Sequence, residues 1–240
     1  MKVLIAIVNC HGKEYRVDVQ RETWIPQVPE GVDVRVFKGR RTGIHDMQLR
    51  VPRPDEVILD CDDSYQGLPD KVRAIIRWAL EHGYDFMLKC DDDVILKPVE
   101  LMESGFQDFD FTGNRNEDPG VVKTPWGFCY WLSRRSMENI KDSDLPANNN
   151  DEMWIARKLY EKGIYLRHDG RYYLHRGRRE DMVHNKRPLR APNRIAPCFP
   201  PPILGTFAHC VYLVWYGLHK TPEEVVIKEM RKVFDAVQNQ

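Results

Sequence analysis

The sequence predicts an α/β domain in which a mostly parallel sheet is covered by helices and followed by a helical C-terminal tail. Three observations carry that expectation. Two short, continuous apolar runs, residues 3–8 and 32–37, read as strands buried on both faces. A helix-period stretch over 68–82 separates two further strands, at 56–59 and 85–89. Strand, crossover helix and strand in alternation is the pattern of parallel βαβ units.

The first run, VLIAIV, offers no polar residue to water, so it belongs in the middle of the sheet. In the helix, Leu68, Val72, Ile75, Ile76, Ala79 and Leu80 share one face; Pro69 suits the first turn and Gly83 the stop. The strand at 85–89 runs directly into Asp91-Asp92-Asp93. Beyond it, 109–112 reads as a strand, 114–120 as a polar loop and 127–133 as a buried strand. Asn150 is placed to cap a helix over 151–162 that Gly163 stops. Short strands at 164–166 and 172–174 follow. Pro197, Pro200, Pro201 and Pro202 then form a breaker before two expected terminal helices, over 206–218 and 222–237. The expected organisation is one domain over 1–196, with the breaker and tail of 197–240 packed on it.

A chain of 240 residues buries roughly 70% of its unfolded surface and needs no disulfide or metal staple. With 42% hydrophobic and 30% charged residues it is not a disordered, collagen-like or coiled-coil chain. Basic and acidic residues balance at 36 each, so overall charge points to no polyanionic partner. Its distribution says more. Residues 167–194 carry eight Arg and one Lys against three acids, with three His among them. This strip suits a substrate diphosphate or a nucleic acid; a solvated loop is the plain alternative. The six cysteines are scattered without a C-x-x-C pair, as expected of reduced, structural thiols. No apolar run near the start approaches the ~20 residues of a membrane span, and no signal-peptide pattern is present, so a cytoplasmic protein is expected.

The acidic triplet is the sharpest local feature. Three adjacent carboxylates repel one another, and a strand end collects them only for a reason. In an extended segment Asp91 and Asp93 point to one side and Asp92 to the other. Two hard oxygen ligands at the carboxyl end of a parallel strand suit Mn²⁺ or Mg²⁺ holding a diphosphate, although exposed turns also contain such triplets.

Five motifs follow in order along residues 3–176. They are Arg21-Glu22-Thr23-Trp24, then Asp63-Ser64-Tyr65-Gln66-Gly67-Leu68-Pro69-Asp70-Lys71, then Lys89-Cys90-Asp91-Asp92-Asp93-Val94. The apolar strand from Gly127 to Ser133 and Asp151-Glu152-Met153-Trp154 complete the series. In this order the chain resembles the metal-dependent, inverting β-1,3-glycosyltransferases of the galactosyltransferase and Fringe type. It also departs from them. Gly67 stands where the family has Asn, the Gly-rich strand keeps only Gly127, and the acid pair is inverted. No counterpart of the eukaryotic members' membrane anchor is expected, so the resemblance does not by itself fix their glycan acceptors.

The resemblance implies a GT-A, Rossmann-type fold with a donor half over about 1–95 and an acceptor half over about 96–196. It implies a UDP-sugar donor and inverting transfer of a hexose: galactose, glucose or N-acetylglucosamine. Asp93 becomes the direct metal ligand, with His175 as the late one and His168 its alternative. Asp91 joins at the metal, and Asp91 and Asp92 lie near the ribose and metal-bound water. Arg16, Arg21 and Lys71 face the donor's phosphates or uracil, and Asp63 and Gly127 belong to the same donor site. Glu152 falls on the family's base and Asp151 beside it, although acids at a helix start also simply favour the macrodipole. For Arg21 and Trp24 the competing reading is a strand-following helix that packs its indole inward. The acceptor is a glycan or, through the basic strip, a hydroxylated base in DNA. A nucleotidyltransferase and a non-catalytic binding module are the alternatives from other classes.

Overall fold

Val3–Val8 (β1), buried at all six positions, is the spine of a seven-stranded sheet. It pairs in parallel with Val32–Arg40 (β2) on one side and with Phe86–Asp91 (β4) on the other. Glu56–Asp62 (β3) continues the parallel half beyond β2. On the far side of β4, Pro125–Ser133 (β7) runs antiparallel, Phe111–Arg115 (β6) is antiparallel to β7, and Arg167–His168 (β8) is parallel to β6. The order is β3-β2-β1-β4-β7-β6-β8. The expected mostly parallel, helix-covered sheet is therefore present. The computed structural model describes residues 1–40, 51–116, 120–176, 210–214 and 223–238, with backbone alone for 172–176, 210–214 and 237–238.

Alternation along β1 builds two cores, because successive side chains point to opposite faces. Val3, Ile5 and Ile7 pack with Val17 and Val19 of helix α1 (Glu14–Glu22) and with Val226, Met230 and Val233 of the C-terminal helix Glu223–Gln238. Leu4, Ala6 and Val8 meet Val72, Ile75, Ile76 and Ala79 of α2 (Leu68–Glu81). The same side takes Met137 and Ile140 of α4 (Arg134–Ile140) and Ile155 and Leu159 of α5 (Asp151–Glu161). Each such aliphatic side chain is worth roughly 1.5–3 kcal/mol when fully buried. The short helix α3 (Pro98–Met102) lies between β4 and β6 in sequence.

Two expectations are corrected. Cys210–Val214 is a strand (β10), not part of a helix over 206–218. It pairs with Val94–Leu96 (β5) and Tyr172–Arg176 (β9) in a second, three-stranded sheet. An apolar run of this length carries no period that separates strand from helix, and here pairing across the chain decides. The strand expected at 164–166 forms instead at Arg167–His168. Among the described residues no helix is long and apolar enough to cross a membrane, and Cys10, Cys61, Cys90 and Cys129 are free thiols.

Candidate active site

Because β1, β2, β3 and β4 run the same way, their carboxyl ends share one edge of the sheet. Asn9, Asp63 and the aspartate triplet follow directly from those ends, where open α/β sheets bind ligands. Strand β4 stops at Asp91, and Asp92 and Asp93 form a turn into β5. The alternation of an extended chain therefore does not hold, and Asp92 does not point away from its neighbour. Arg16 of α1 reaches both, with Nη1 2.9 Å from Asp92 Oδ1 and 3.6 Å from Asp93 Oδ2. Asn9 Nδ2 donates to Asp92 Oδ2 at 2.7 Å. Gln20 Nε2 fixes the turn's backbone by donating to the carbonyls of Asp91 at 3.2 Å and Val94 at 2.9 Å. Asp93 is 5% exposed; burial, then Asp92 and Asp91, hold its carboxyl well above the usual range.

Asp63 ties the neighbouring strands together. Its Oδ1 accepts from Gly39 N and from Lys71 Nζ, both at 2.7 Å, and its Oδ2 accepts from His11 N at 2.7 Å. Lys71 Nζ also donates to the Asn9 carbonyl at 3.0 Å. Only glycine has room at position 39, since a Cβ there would stand 2.7 Å from the Cys61 carbonyl oxygen. The structure does not bring Arg21 into this group. Its guanidinium is held by Asp18, Asp55 and Glu56, at 2.8 to 3.0 Å. Trp24 is fully buried and its Nε1 donates to Val94 O at 3.1 Å, the inward-packing reading of this motif.

The acid pair approaches from the other side. Asn150 Oδ1 caps α5 by accepting from Met153 N at 2.7 Å, which sets Asp151 and Glu152 in the first turn. Asp151 is 2% exposed and accepts from the Tyr130 hydroxyl at 2.8 Å. Lys89, opposite Tyr130 in the β4–β7 ladder, is 1% exposed. Its Nζ lies 2.5 Å from Asp91 Oδ1 and from the Gly127 carbonyl, and 3.9 Å from Asp151 Oδ2. Burial works against its charge, but Asp91 and Asp151 outweigh that and hold the ammonium protonated. One buried lysine thus joins the triplet to the acid pair. Glu152 lies against Gly127, where a Cβ would come within 3.0 Å of Glu152 Oε2. Burial first, and Asp151 second, push the Glu152 carboxyl up to about 7. Burial also lifts Asp91 to about 6 against the pull of Lys89, with Asp151 and Asp92 adding to the rise. Tyr65 rises too, from partial burial and the charges of Glu152, Asp151 and Asp91, so its phenol overlooks the same ground.

No protein-family model matches the sequence, and no curated protein matches it either. Solved structures with a related chain path include three glycosyltransferases. The galactosyltransferase LgtC, with donor and acceptor sugar analogues, is 12% identical over 95% of each chain at a TM-score of 0.48. A glycosyltransferase involved in glycosylating the major capsid of PBCV-1 is 12% identical over 96% of this chain and all of that one, at 0.49. GlyE of Streptococcus pneumoniae TIGR4 is 9% identical over 97% of this chain and 64% of its own, at 0.49. Likeness this distant assigns no chemistry, which rests on the side chains.

Among the described residues no three His, Cys, Asp or Glu side chains form a ready metal centre. The donor set still fits a hard divalent cation in kind. Asp91 and Asp93 supply carboxylate oxygens, and Asn9 Oδ1 and Gln20 Oε1, beside the triplet, are buried oxygens without a hydrogen-bond partner. The side chain of His175 lies outside the described residues. His168 is not brought to the triplet: it sits on β8, where its Nδ1 accepts the Arg115 N–H at 3.1 Å. Most of the basic strip also lies outside the described residues. Sequence reasoning passed over Asn9 and Gln20, and met Lys89, Tyr65 and Tyr130 only as motif letters. Lys89 carried a signal, because a lysine inside an otherwise apolar central strand requires buried counter-charges.

Proposed function

We propose that this chain is a glycosyltransferase that moves a hexose from a UDP-sugar to an acceptor hydroxyl, with inversion at the anomeric carbon. The observation that carries the reading is the Lys89 bridge, which sets a carboxyl with a proton affinity near neutrality beside strand-end aspartates. A base that titrates near the working pH is the best compromise between being ionised and accepting a proton. Glu152 fills that role. Asp151, fixed by Tyr130 and Lys89, supplies the negative charge that keeps Glu152 basic. The acceptor oxygen bonds to the anomeric carbon, the bond from that carbon to the diphosphate oxygen breaks, and the acceptor's proton passes to Glu152.

Mn²⁺ or Mg²⁺, held by Asp93 and Asp91, would neutralise the charge that develops on the departing diphosphate. Lys71 and Asp63 frame the nucleotide side of the edge, and Arg16 sets the turn that presents the aspartates. The five ordered motifs support the same reading, and a glycan hydroxyl is the acceptor it favours. The test is UDP release from UDP-galactose, UDP-glucose and UDP-N-acetylglucosamine, with Mn²⁺ or Mg²⁺ and with or without oligosaccharide acceptors. The anomeric configuration of any product is read by NMR. Turnover of one donor with an inverted product supports the proposal. No UDP from any donor, or pyrophosphate released from nucleoside triphosphates instead, sinks it.

A further inference from the structure

Helices α2 and α5 share one core on the same face of the sheet and touch each other. Both begin at the edge that carries the aspartates. Helix α2 follows the carboxyl end of β3, and the first turn of α5 meets Tyr130 and Lys89 near the end of β4. Two residues past Asp63 and three before α2 stands Tyr65, 65% exposed. Among the described residues four Phe, Tyr or Trp side chains are exposed: Phe109, Tyr160, Tyr165 and this one. Phe109 lies under Arg167, and the rings of Tyr160 and Tyr165 meet edge to face at 5.4 Å. Those three sit at the opposite edge, where α5 ends and β6 and β8 begin. Of the four, Tyr65 alone stands at the carboxyl edge.

The turn that carries it is fixed. The Asp62 carboxylate accepts from Ser64 N at 3.0 Å and from the Ser64 hydroxyl. Gly67 N donates to the Ser64 carbonyl at 3.1 Å, and Leu68 N to the Tyr65 carbonyl at 3.4 Å. A Cβ at position 67 would stand 2.8 Å from both Asp62 Cβ and the Asp62 carbonyl oxygen, so only glycine lets the turn fold back this closely. The backbone is held while the ring faces solvent, and a ligand that covers the ring does not first have to order the loop. Partial burial, then the charges of Glu152, Asp151 and Asp91, raise the Tyr65 phenol, which agrees with a ring beside the acid pair. The chain leading into α5 adds Asn148, exposed, and Asn149, half-buried, whose amides can serve sugar hydroxyls.

We propose that Tyr65 is the platform for the acceptor, and that the acceptor is a pyranose whose C–H face lies on the Tyr65 ring with one hydroxyl directed at Glu152. This subsite presupposes the glycosyl-transfer reading above and gives it an acceptor class. A base must lie within hydrogen-bond reach of the reacting hydroxyl, which puts the acceptor ring beside Glu152, on the ground that Tyr65 borders. A pyranose is polar around its rim and apolar on the face from which its C–H bonds project. It therefore pairs a flat aromatic surface with amide and carboxylate partners at the rim. Tyrosine supplies that surface with only two side-chain torsions to fix, and its hydroxyl can stay in water.

The test uses the full chain and two readouts. Donor and acceptor KM are measured with galactose-, glucose- and N-acetylglucosamine-terminated disaccharides. Saturation-transfer NMR with the same disaccharides and no donor reads binding that needs no turnover. In the wild type, irradiating the aromatic protons should saturate the C–H protons on one face of the terminal sugar. Tyr65→Ala should raise the acceptor KM about tenfold, the scale of one lost aromatic contact, while the donor KM holds. Tyr65→Phe and Tyr65→Trp should keep the acceptor KM within about twofold of the wild type, since each retains the flat surface. The melting temperature should hold in all three, because the side chain lies mostly in solvent. A donor KM that rises in Tyr65→Ala at constant acceptor KM overturns the proposal, for the ring would then lie on the uracil. So does an acceptor KM that no variant changes, or a Tyr65→Phe as weak as Tyr65→Ala, which would make the hydroxyl the contact. A hydroxymethylated oligonucleotide that binds where no disaccharide does overturns the choice of a sugar. If no donor is turned over, the glycosyl-transfer reading fails by itself, and the saturation signals still decide the platform: kept in Tyr65→Phe and lost in Tyr65→Ala they support it, and absent from the wild type they overturn it.

Discussion

On the α1 flank of the triplet, Asp63 accepts three hydrogen bonds and Asp92 is held by both Arg16 and Asn9. On the α5 flank, Glu152 is crowded by Asp151 and shares with it the influence of a lysine already committed to Asp91 and Gly127. The first flank is compensated and so is a frame. On the second, burial first and the neighbouring Asp151 next raise the Glu152 carboxyl toward neutrality, and Lys89 does not offset them. Position along the sheet edge does not distinguish the two flanks. The count of donors around each carboxylate does.

The contrast predicts its own largest effect. Glu152→Gln keeps the shape and removes proton acceptance, so turnover should fall by ~10²–10⁴ while donor binding, followed by calorimetry, stays nearly unchanged. If Asp151→Asn produced that loss and Glu152→Gln did not, the base would be Asp151 and the assignment within the pair would be reversed. Asp93→Asn comes next. It should remove most turnover, as chelation by EDTA should, yet leave the melting temperature unchanged or raised. The carboxylate lost is one that burial and two neighbouring aspartates already disfavour. Activity that persists in EDTA would remove the metal from the reading.

The compensated flank should answer in stability. Asp63→Ala leaves Lys71, 2% exposed, without its carboxylate and frees two backbone donors. Breaking such a buried pair costs ~3–5 kcal/mol, measurable by urea denaturation. A loss under 1 kcal/mol would mean that the frame is not what holds this edge together.

The pH dependence separates the flanks more finely. Glu152 keeps its proton up to about 7 in the folded protein but releases it near 4.5 when unfolded. Its contribution to stability is therefore fully present below 4.5 and is lost as pH rises through 7. Glu152→Gln should raise the melting temperature more at pH 8 than at pH 5. In the wild type kcat/KM should climb through pH ~7, as a base must be ionised to act, and that limb should vanish in the variant. Equal melting shifts at both pH values would contradict the raised affinity.

Residues whose role is local were legible in the sequence. VLIAIV read as a buried strand and is one, the apolar face of 68–81 read as a helix and is one, and Asn150 could be read as a cap from its place before the acid pair. What escaped depends on partners distant along the chain. Arg16 and Gln20 make α1 look like an exposed, poorly amphipathic segment, yet both are buried because they hold Asp92 and the Asp91 carbonyl. Strand β5 is three residues long and exists through its pairing with β10, more than a hundred residues away. The chain turns at Asp92–Asp93 between β4 and β5, which is why the alternation expected of an extended triplet misplaced Asp92.

The smallest expected effect is also the most local. Gly127 supplies the carbonyl that Lys89 holds at 2.5 Å and the open space against which the Glu152 carboxylate rests. Gly127→Ala would set a methyl group about 3.0 Å from Glu152 Oε2, tighter than an ordinary contact, so the flexible end of Glu152 must shift by a few tenths of an ångström. Misplacing a catalytic group by a full ångström can cost ~10²-fold, so a displacement this small should lower kcat by a factor of roughly three to ten. Donor KM should stay put, because the compensated flank is untouched. The Lys89 contact uses backbone, and alanine preserves it, so the fold should be unaffected. A rise in donor KM at constant kcat would place Gly127 against the donor rather than against the base. Glu152 would then lose the support that its contact with this glycine provides.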